Sequence, residues 1–174
     1  MKRFWLRIYY GIIIHLPVNY SILGRLMHSQ AIRYYVCKRI FKSIGGGVNI
    51  EKGAKFGNGF DLVIGENSGL GVDCEVPSNI IIGKNVMMGP NCYILARNHE
   101  FSNTDIPMNL QGYSEFRQTI IDDDVWIGRN VTFTAGRHVS TGSIIAACTL
   151  LCKDFPAYSI VGGNPSKLIR NRKS

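Results

Sequence analysis

Four histidines occur in this chain of 174 residues, and one of them, His99, stands in the run N-H-E-F at 98–101. Imidazole has an ordinary pKa of about 6.5, so it can take a proton from a hydroxyl near neutral pH. A base held beside a nucleophilic hydroxyl contributes roughly 10²–10⁴ in rate. A hydrogen-bonded corner histidine is the plainer reading. Two features favour the base: a regular repeat ends beside His99, and W-I-G follows at 126–128. A carboxylate could accept its second N–H and fix the tautomer. Glu100, Asp73, Glu75 and Glu115 are candidates, each also readable as a solvated charge, and a backbone carbonyl could do the same job. His138 precedes inward-facing Val139 and reads as an exposed turn residue. His15 and His28 read as packing or surface residues.

His99 opens a stretch, 99–119, that lacks the repeat and carries Glu100, Asp105, Tyr113, Glu115 and Arg117. An excursion that long is usually functional. Asp73, Glu75, Tyr113, Glu115 and Trp126 are the candidate lining of an acceptor pocket, though Trp126 reads equally well as a corner-packing aromatic. No metal is expected. A three-histidine site needs one histidine more than His99 and His138, the two in the repeat region. The five cysteines are odd in number and form no C-x-x-C pair, which predicts reduced thiols in a cytoplasm.

The elements that must hold these residues follow from a period of six. Ile64, Leu70, Val76, Ile82, Met88 and Ile94 recur every six residues, and Gly65, Gly71, Gly83 and Gly89 follow four of them. Mostly small or apolar residues stand four positions after each, from Ser68 and Cys74 to Cys92. The pattern stops at His99 and restarts as Ile121, Ile127, Phe133, Val139, Ile145 and Leu151. Ile50 and Phe56 form a weaker start, and two extra residues near Gly59–Phe60 shift the phase. Neither the helical period of 3.6 nor the strand period of 2 fits. A coil of short strands and corners does, with the aliphatic inward, the small residue beside it and Gly permitting the corner. Three hexads close a triangular turn, so about fourteen hexads predict four to five turns.

Charge is divided unevenly. Apolar residues make up 45% and charged ones 18%, enough for a core and too little charge for disorder. Residues 1–45 hold eight bases and no acid, which supplies the whole net charge of +8. The remainder balances, so no nucleic-acid partner is expected. This segment shows no six-residue period. It reads as two or three short helices broken at Pro17 and near Gly24, capping the coil end. A basic amphipathic surface for anionic lipid or acidic glycan is the sharper reading. The apolar run Ile8–Val18 is too short to span a bilayer and lacks a cleavage site. The expectation is a cytoplasmic protein, or one peripheral to the inner face of the membrane.

The hexads, N-H-E-F, I-D-D-D-V-W-I-G at 121–128 and K-D-F-P-A-Y-S-I-V-G-G-N-P-S-K at 153–167 together resemble the hexapeptide-repeat acyltransferases, sugar O-acetyltransferase branch. The resemblance covers residues 45–172. It implies an all-β, left-handed parallel β-helix at 46–165 with the loop at 99–119, to which the sequence adds the mainly helical cap at 1–45 and a basic tail at 166–174. It implies homotrimers with sites between subunits, acetyl-CoA as cosubstrate and a saccharide acceptor. By resemblance, the N–H near Gly128–Arg129 stabilises the oxyanion, Ala147, Cys152 and Lys153 contact the donor, and Lys167 and Arg170 hold its nucleotide end. Arg129 replaces a usual small residue, and Ala146 and Cys148 replace two usual glycines, which crowds that corner. An antibiotic hydroxyl or a sugar amine is an alternative acceptor, and a non-catalytic β-helix scaffold is the alternative of another class.

Overall fold

The structure, a computed structural model, describes residues 1–173. Its strands, mostly two residues long, stack in parallel on three faces of a triangular coil. The first face holds β1 (Ser43–Ile44), β3 (Val63–Ile64), β5 (Ile81–Ile82), β8 (Ile120–Ile121) and β11 (His138–Val139). The second holds β2 (Asn49–Ile50), β4 (Gly69–Leu70), β6 (Met87–Met88), β9 (Trp126–Ile127), β12 (Ile144–Ile145) and β14 (Ser159–Gly162). The third holds β7 (Tyr93–Ile94), β10 (Thr132–Phe133) and β13 (Leu150–Leu151), extended toward the N-terminal end by Glu75 and Lys55.

Register reports the chain's accounting of residues per coil. Val63 lies opposite Ile81, eighteen residues on, as three hexads require. Ser43 lies opposite Val63, twenty on, and Lys55 opposite Glu75, so the two extra residues fall between 55 and 63, as the phase shift predicts. Ile81 lies opposite Ile120, so the coil that carries the excursion is 21 residues longer than a regular one, without disturbing the stack. Ile144 lies opposite Ile160, so the last coil is two residues short. The prism has about six turns, more than the four to five expected. Its first strand and its shortened last coil lie outside the regular hexads, where the period gives no signal.

Every inward aliphatic from Ile64 to Leu151 is buried, as are Ile50 and Phe56, and Ser68, Cys74, Val86, Cys92, Val125 and Val131 pack beside them. The glycines play a different part from the one expected. Gly65, Gly83 and Gly89 do not adopt positive φ. They are glycines because consecutive coils approach closely: a Cβ on Gly65 would stand 2.6 Å from Gly83 C, and one on Gly128 2.6 Å from Ala147 N. The left-handed corner position falls to Gly53, Gly59, Gly136 and Gly142 and to Asn67, Asp73, Asn85, Asn91, Asp124 and Asn130, residue types that tolerate it. Cys148 and Tyr158 occupy the same conformation without that tolerance.

The N-terminal segment folds as α1 (Lys2–Gly11), a 3₁₀ turn (Ile13–His15), α2 (Ile22–Leu26) and α3 (Ser29–Cys37). Gly24 does not break a helix. It lies buried inside α2 because the Val18 carbonyl occupies the place of a Cβ. The break falls after Met27, where His28 is left-handed. The layer is anchored to the first coil by Tyr9 Oη donating to Ala54 O at 2.7 Å and Tyr10 Oη donating to Gly57 O at 2.9 Å. Buried Arg33 donates to the Leu16 and Pro17 carbonyls and to Asn19 Oδ1, fixing the turn before α2. At the other end the residues expected as a basic tail form β15 (Lys167–Asn171), antiparallel to β14. Among the described residues no helix is long and apolar enough to cross a membrane.

Candidate active site

His99 is exposed at the corner between the third and first faces, where the chain leaves the prism after β7. It bridges Tyr113 in antiparallel fashion, and the N–H and hydroxyl of Ser114 both donate to Asn98 O, at 3.0 and 3.1 Å. These pairs form a neck. Beyond it the tip is ordered by its own side chains: Gln111 Nε2 donates to Asn103 O at 2.7 Å and to Ile106 O at 2.9 Å. The excursion is thus an Ω-type loop on a fixed stem.

The stem places a backbone carbonyl, and not a carboxylate, against the His99 ring. Nδ1 lies 3.2 Å from Gly112 O. A carbonyl can only accept, so in the neutral imidazole this contact favours the tautomer with the proton on Nδ1 and the lone pair on Nε2. The ring is held flat by Tyr113, stacked at 4.8 Å between centroids, and the Arg97 guanidinium lies 5.5 Å from that tyrosine ring. None of the four candidate carboxylates is hydrogen-bonded to His99 among the described residues. Glu100 turns back to accept from the Ser102 and Phe101 N–H groups, both at 2.9 Å, which holds its carboxyl below the usual range. Glu75 pairs with Lys55 at 3.6 Å on the third face, and Asp73 stands at the opposite corner. Glu115 lines a cavity of about 340 Å³ beside the stem, with Arg97, Asn98, Phe116, Arg117 and Arg137. Arg97 was not singled out in the sequence, although it directly precedes N-H-E-F. A backbone carbonyl such as that of Gly112 has no side-chain signature to find.

The donor candidates divide between corners. The Gly128 N–H is already bonded to Ile145 O at 2.8 Å, so Gly128 is not the free donor. Among the described residues the N–H groups of Arg129 and Ala147 have no acceptor, and they stand on successive coils at the corner between the second and third faces. Trp126 stands exposed on the outside of the second face, next in register to exposed Met87. Cys152 and Lys153 lie one face away, at the corner His99 shares. The Cys152 N–H is taken by Ser166 Oγ at 3.2 Å, and hydrogen bonding from that hydroxyl pulls the Cys152 thiol below its ordinary range. Lys167 and Arg170 are exposed on β15, with no carboxylate partner among the described residues. His138 is a strand residue of β11, its Nε2 3.0 Å from Asp122 Oδ1, and not a turn residue.

His99 and Arg129 therefore leave the prism at different corners, with the third face between them. One chain does not bring His99 and the unpaired Arg129 N–H together.

Residues 61–151 match the family model of the GLGC left-handed parallel beta-helix domain. A Schizosaccharomyces pombe protein named as an acetyltransferase is 32% identical over 123 residues, covering 70% of this chain and 58% of that protein. The chain spans about half the length of the curated relatives it matches. A maltose O-acetyltransferase structure from Clostridium difficile 630 superposes with a TM-score of 0.75 at 24% identity, covering 98% of this chain and 85% of that one. A galactoside acetyltransferase in complex with coenzyme A gives 0.75 at 21% identity, covering 98% and 78%. At these identities the structural likeness establishes the fold.

Proposed function

The chain belongs to the GLGC left-handed parallel beta-helix domain family, and from that premise we propose that it transfers acetyl from acetyl-CoA to a hydroxyl of a saccharide. The observation that carries the reading is the contact between His99 Nδ1 and Gly112 O at 3.2 Å. Gly112 O holds Nδ1–H, so Nε2 is the basic atom, exposed and free of any partner among the described residues. Nε2 takes the hydroxyl proton as the sugar oxygen forms a bond to the thioester carbonyl carbon. The carbon–sulfur bond then breaks, and the thiolate recovers that proton from Nε2. A fixed N–H stabilises the intermediate oxyanion, and Arg129 supplies one. Lys167 and Arg170 suit the nucleotide phosphates, being cations with no competing carboxylate.

Because base and N–H lie on different corners, the working site joins His99 of one copy to Arg129 of another. A trimer of prisms side by side meets that need, with the loop reaching across. The names of relatives and structural neighbours, acetyltransferases of sugars among them, support this reaction class. The test is thiol release from acetyl-CoA with a panel of saccharides, with acetylated products read by mass spectrometry. His99→Ala should lower turnover by about 10²–10⁴. Full turnover in that variant refutes the mechanism.

A further inference from the structure

Helix α2 is built inside out. Its one buried residue is Gly24, whereas Ile22, Leu23 and Leu26 are 82%, 57% and 73% exposed. Tyr20 and Met27, on either side, are exposed too. Tyr20 borders a cavity of about 380 Å³ with Gly47 and Asn49, and the α2 aliphatics stand clear of their neighbours. Five large apolar side chains within eight consecutive residues form a contiguous patch of the kind that marks an interaction site.

The charge of the same layer selects the partner. Arg25 stands exposed among the α2 aliphatics. Exposed Arg3 and Arg7 flank Phe4 on α1, and Lys38 follows α3, which packs on both α1 and α2. Arg39 lies over the rings of Tyr35 and Trp5, at 3.3 and 4.9 Å, within the same layer. No Asp or Glu precedes Glu51 in the chain. A segment with eight bases and no acid of its own, the buried Glu51 carboxylate being taken by the Asn19 N–H, repels a second copy of itself. It is attracted to a surface that is anionic and also admits apolar side chains.

We propose that α2 and its flanks dock this protein on an anionic lipid bilayer, with the α2 aliphatics at the acyl boundary and Arg25 and the α1 bases among the headgroups. This is the interfacial mode, in which buried apolar area and electrostatic attraction add. It is independent of the acetyl-transfer reading.

The experiment uses the full chain with vesicles of phosphatidylcholine alone, or of phosphatidylcholine with phosphatidylserine, read by co-sedimentation at low and high salt. Binding is expected to the anionic vesicles and to weaken with salt. Leu23→Ser with Leu26→Ser should lower partitioning at least about tenfold, since each buried methylene contributes roughly fourfold. Arg25→Glu should lower it about 25-fold at low salt, because each base near such a surface contributes about fivefold. Both variants alter exposed residues, so an unchanged thermal melt verifies their fold. Equal binding to neutral and anionic vesicles, wild-type binding by the leucine variant, or no vesicle binding at all overturns the proposal. A larger soluble assembly that disperses in the leucine variant, with no vesicle binding, assigns the patch to a second copy instead.

Discussion

Gly89→Ala separates coil spacing from chemistry. A Cβ at residue 89 would stand 2.7 Å from Arg129 N and 2.8 Å from Gly128 C, where ordinary contact begins at 3.4 Å. Both are backbone atoms of the next coil, so relief requires the two coils to part by about 0.7 Å at that corner. Overpacking of this kind costs about 1–3 kcal/mol. For a chain of this size each kcal/mol lowers Tm by about 2–4 °C, so a fall of roughly 2–12 °C is expected. The displaced atom is the N–H assigned to the oxyanion. A misplacement of about 1 Å can cost about a hundredfold, so kcat should fall about ten- to a hundredfold. Gly65→Ala is the control, since its Cβ would meet Gly83 C at 2.6 Å, at the corner between the first and second faces. It should lower the melt similarly and spare turnover. Thermal circular dichroism and thiol-release kinetics on both variants decide the matter. An unchanged melt for Gly89→Ala refutes the spacing argument, and equal losses of turnover refute the assignment of Arg129.

Three further outcomes are expected. Cys148→Gly relieves a left-handed residue at an exposed corner and should raise stability by about 1 kcal/mol, or Tm by about 2–4 °C, in a thermal melt. Cys152 should react with a maleimide faster than buried Cys37, Cys74 or Cys92, and Ser166→Ala should slow it by removing the hydrogen bond that favours the thiolate. Burial pushes the Tyr9 phenol well above its ordinary 10.0. Below that pH both folded and unfolded states are neutral there. Above it the unfolded state loses its proton first, so stability falls as pH rises toward the folded value. Tyr9→Phe should cost about 1 kcal/mol near neutrality, through the lost bond to Ala54 O, and flatten the alkaline decline in urea melts.

The period of six carried the fold because burial in a triangular coil repeats with the chain: the residue at each six-residue position from Ile64 to Ile94 and from Ile121 to Leu151 turns inward. The phase shift near Gly59–Phe60 was legible for the same reason. What stayed hidden was set by contacts without a periodic signature. The glycines answer to the distance between coils, and the Asn and Asp residues two positions later answer to the corner, so one-dimensional reading exchanged their roles. β15 pairs because residues 163–166 turn the chain back onto β14, a tertiary event that a basic composition conceals. At the candidate site, His99 was legible through the interruption it borders, and the separation of its corner from Arg129 through none of the local motifs.

The register across the excursion has a consequence for engineering. β5 pairs with β8 and β7 with β10 as though the 21 inserted residues were absent, and His99, Gly112 and Tyr113 all lie in the stem rather than the tip. The segment between Phe101 and Gln111 is therefore an exchangeable cassette. Its length and composition can be redrawn while the scaffold keeps its stacking and the imidazole its orientation.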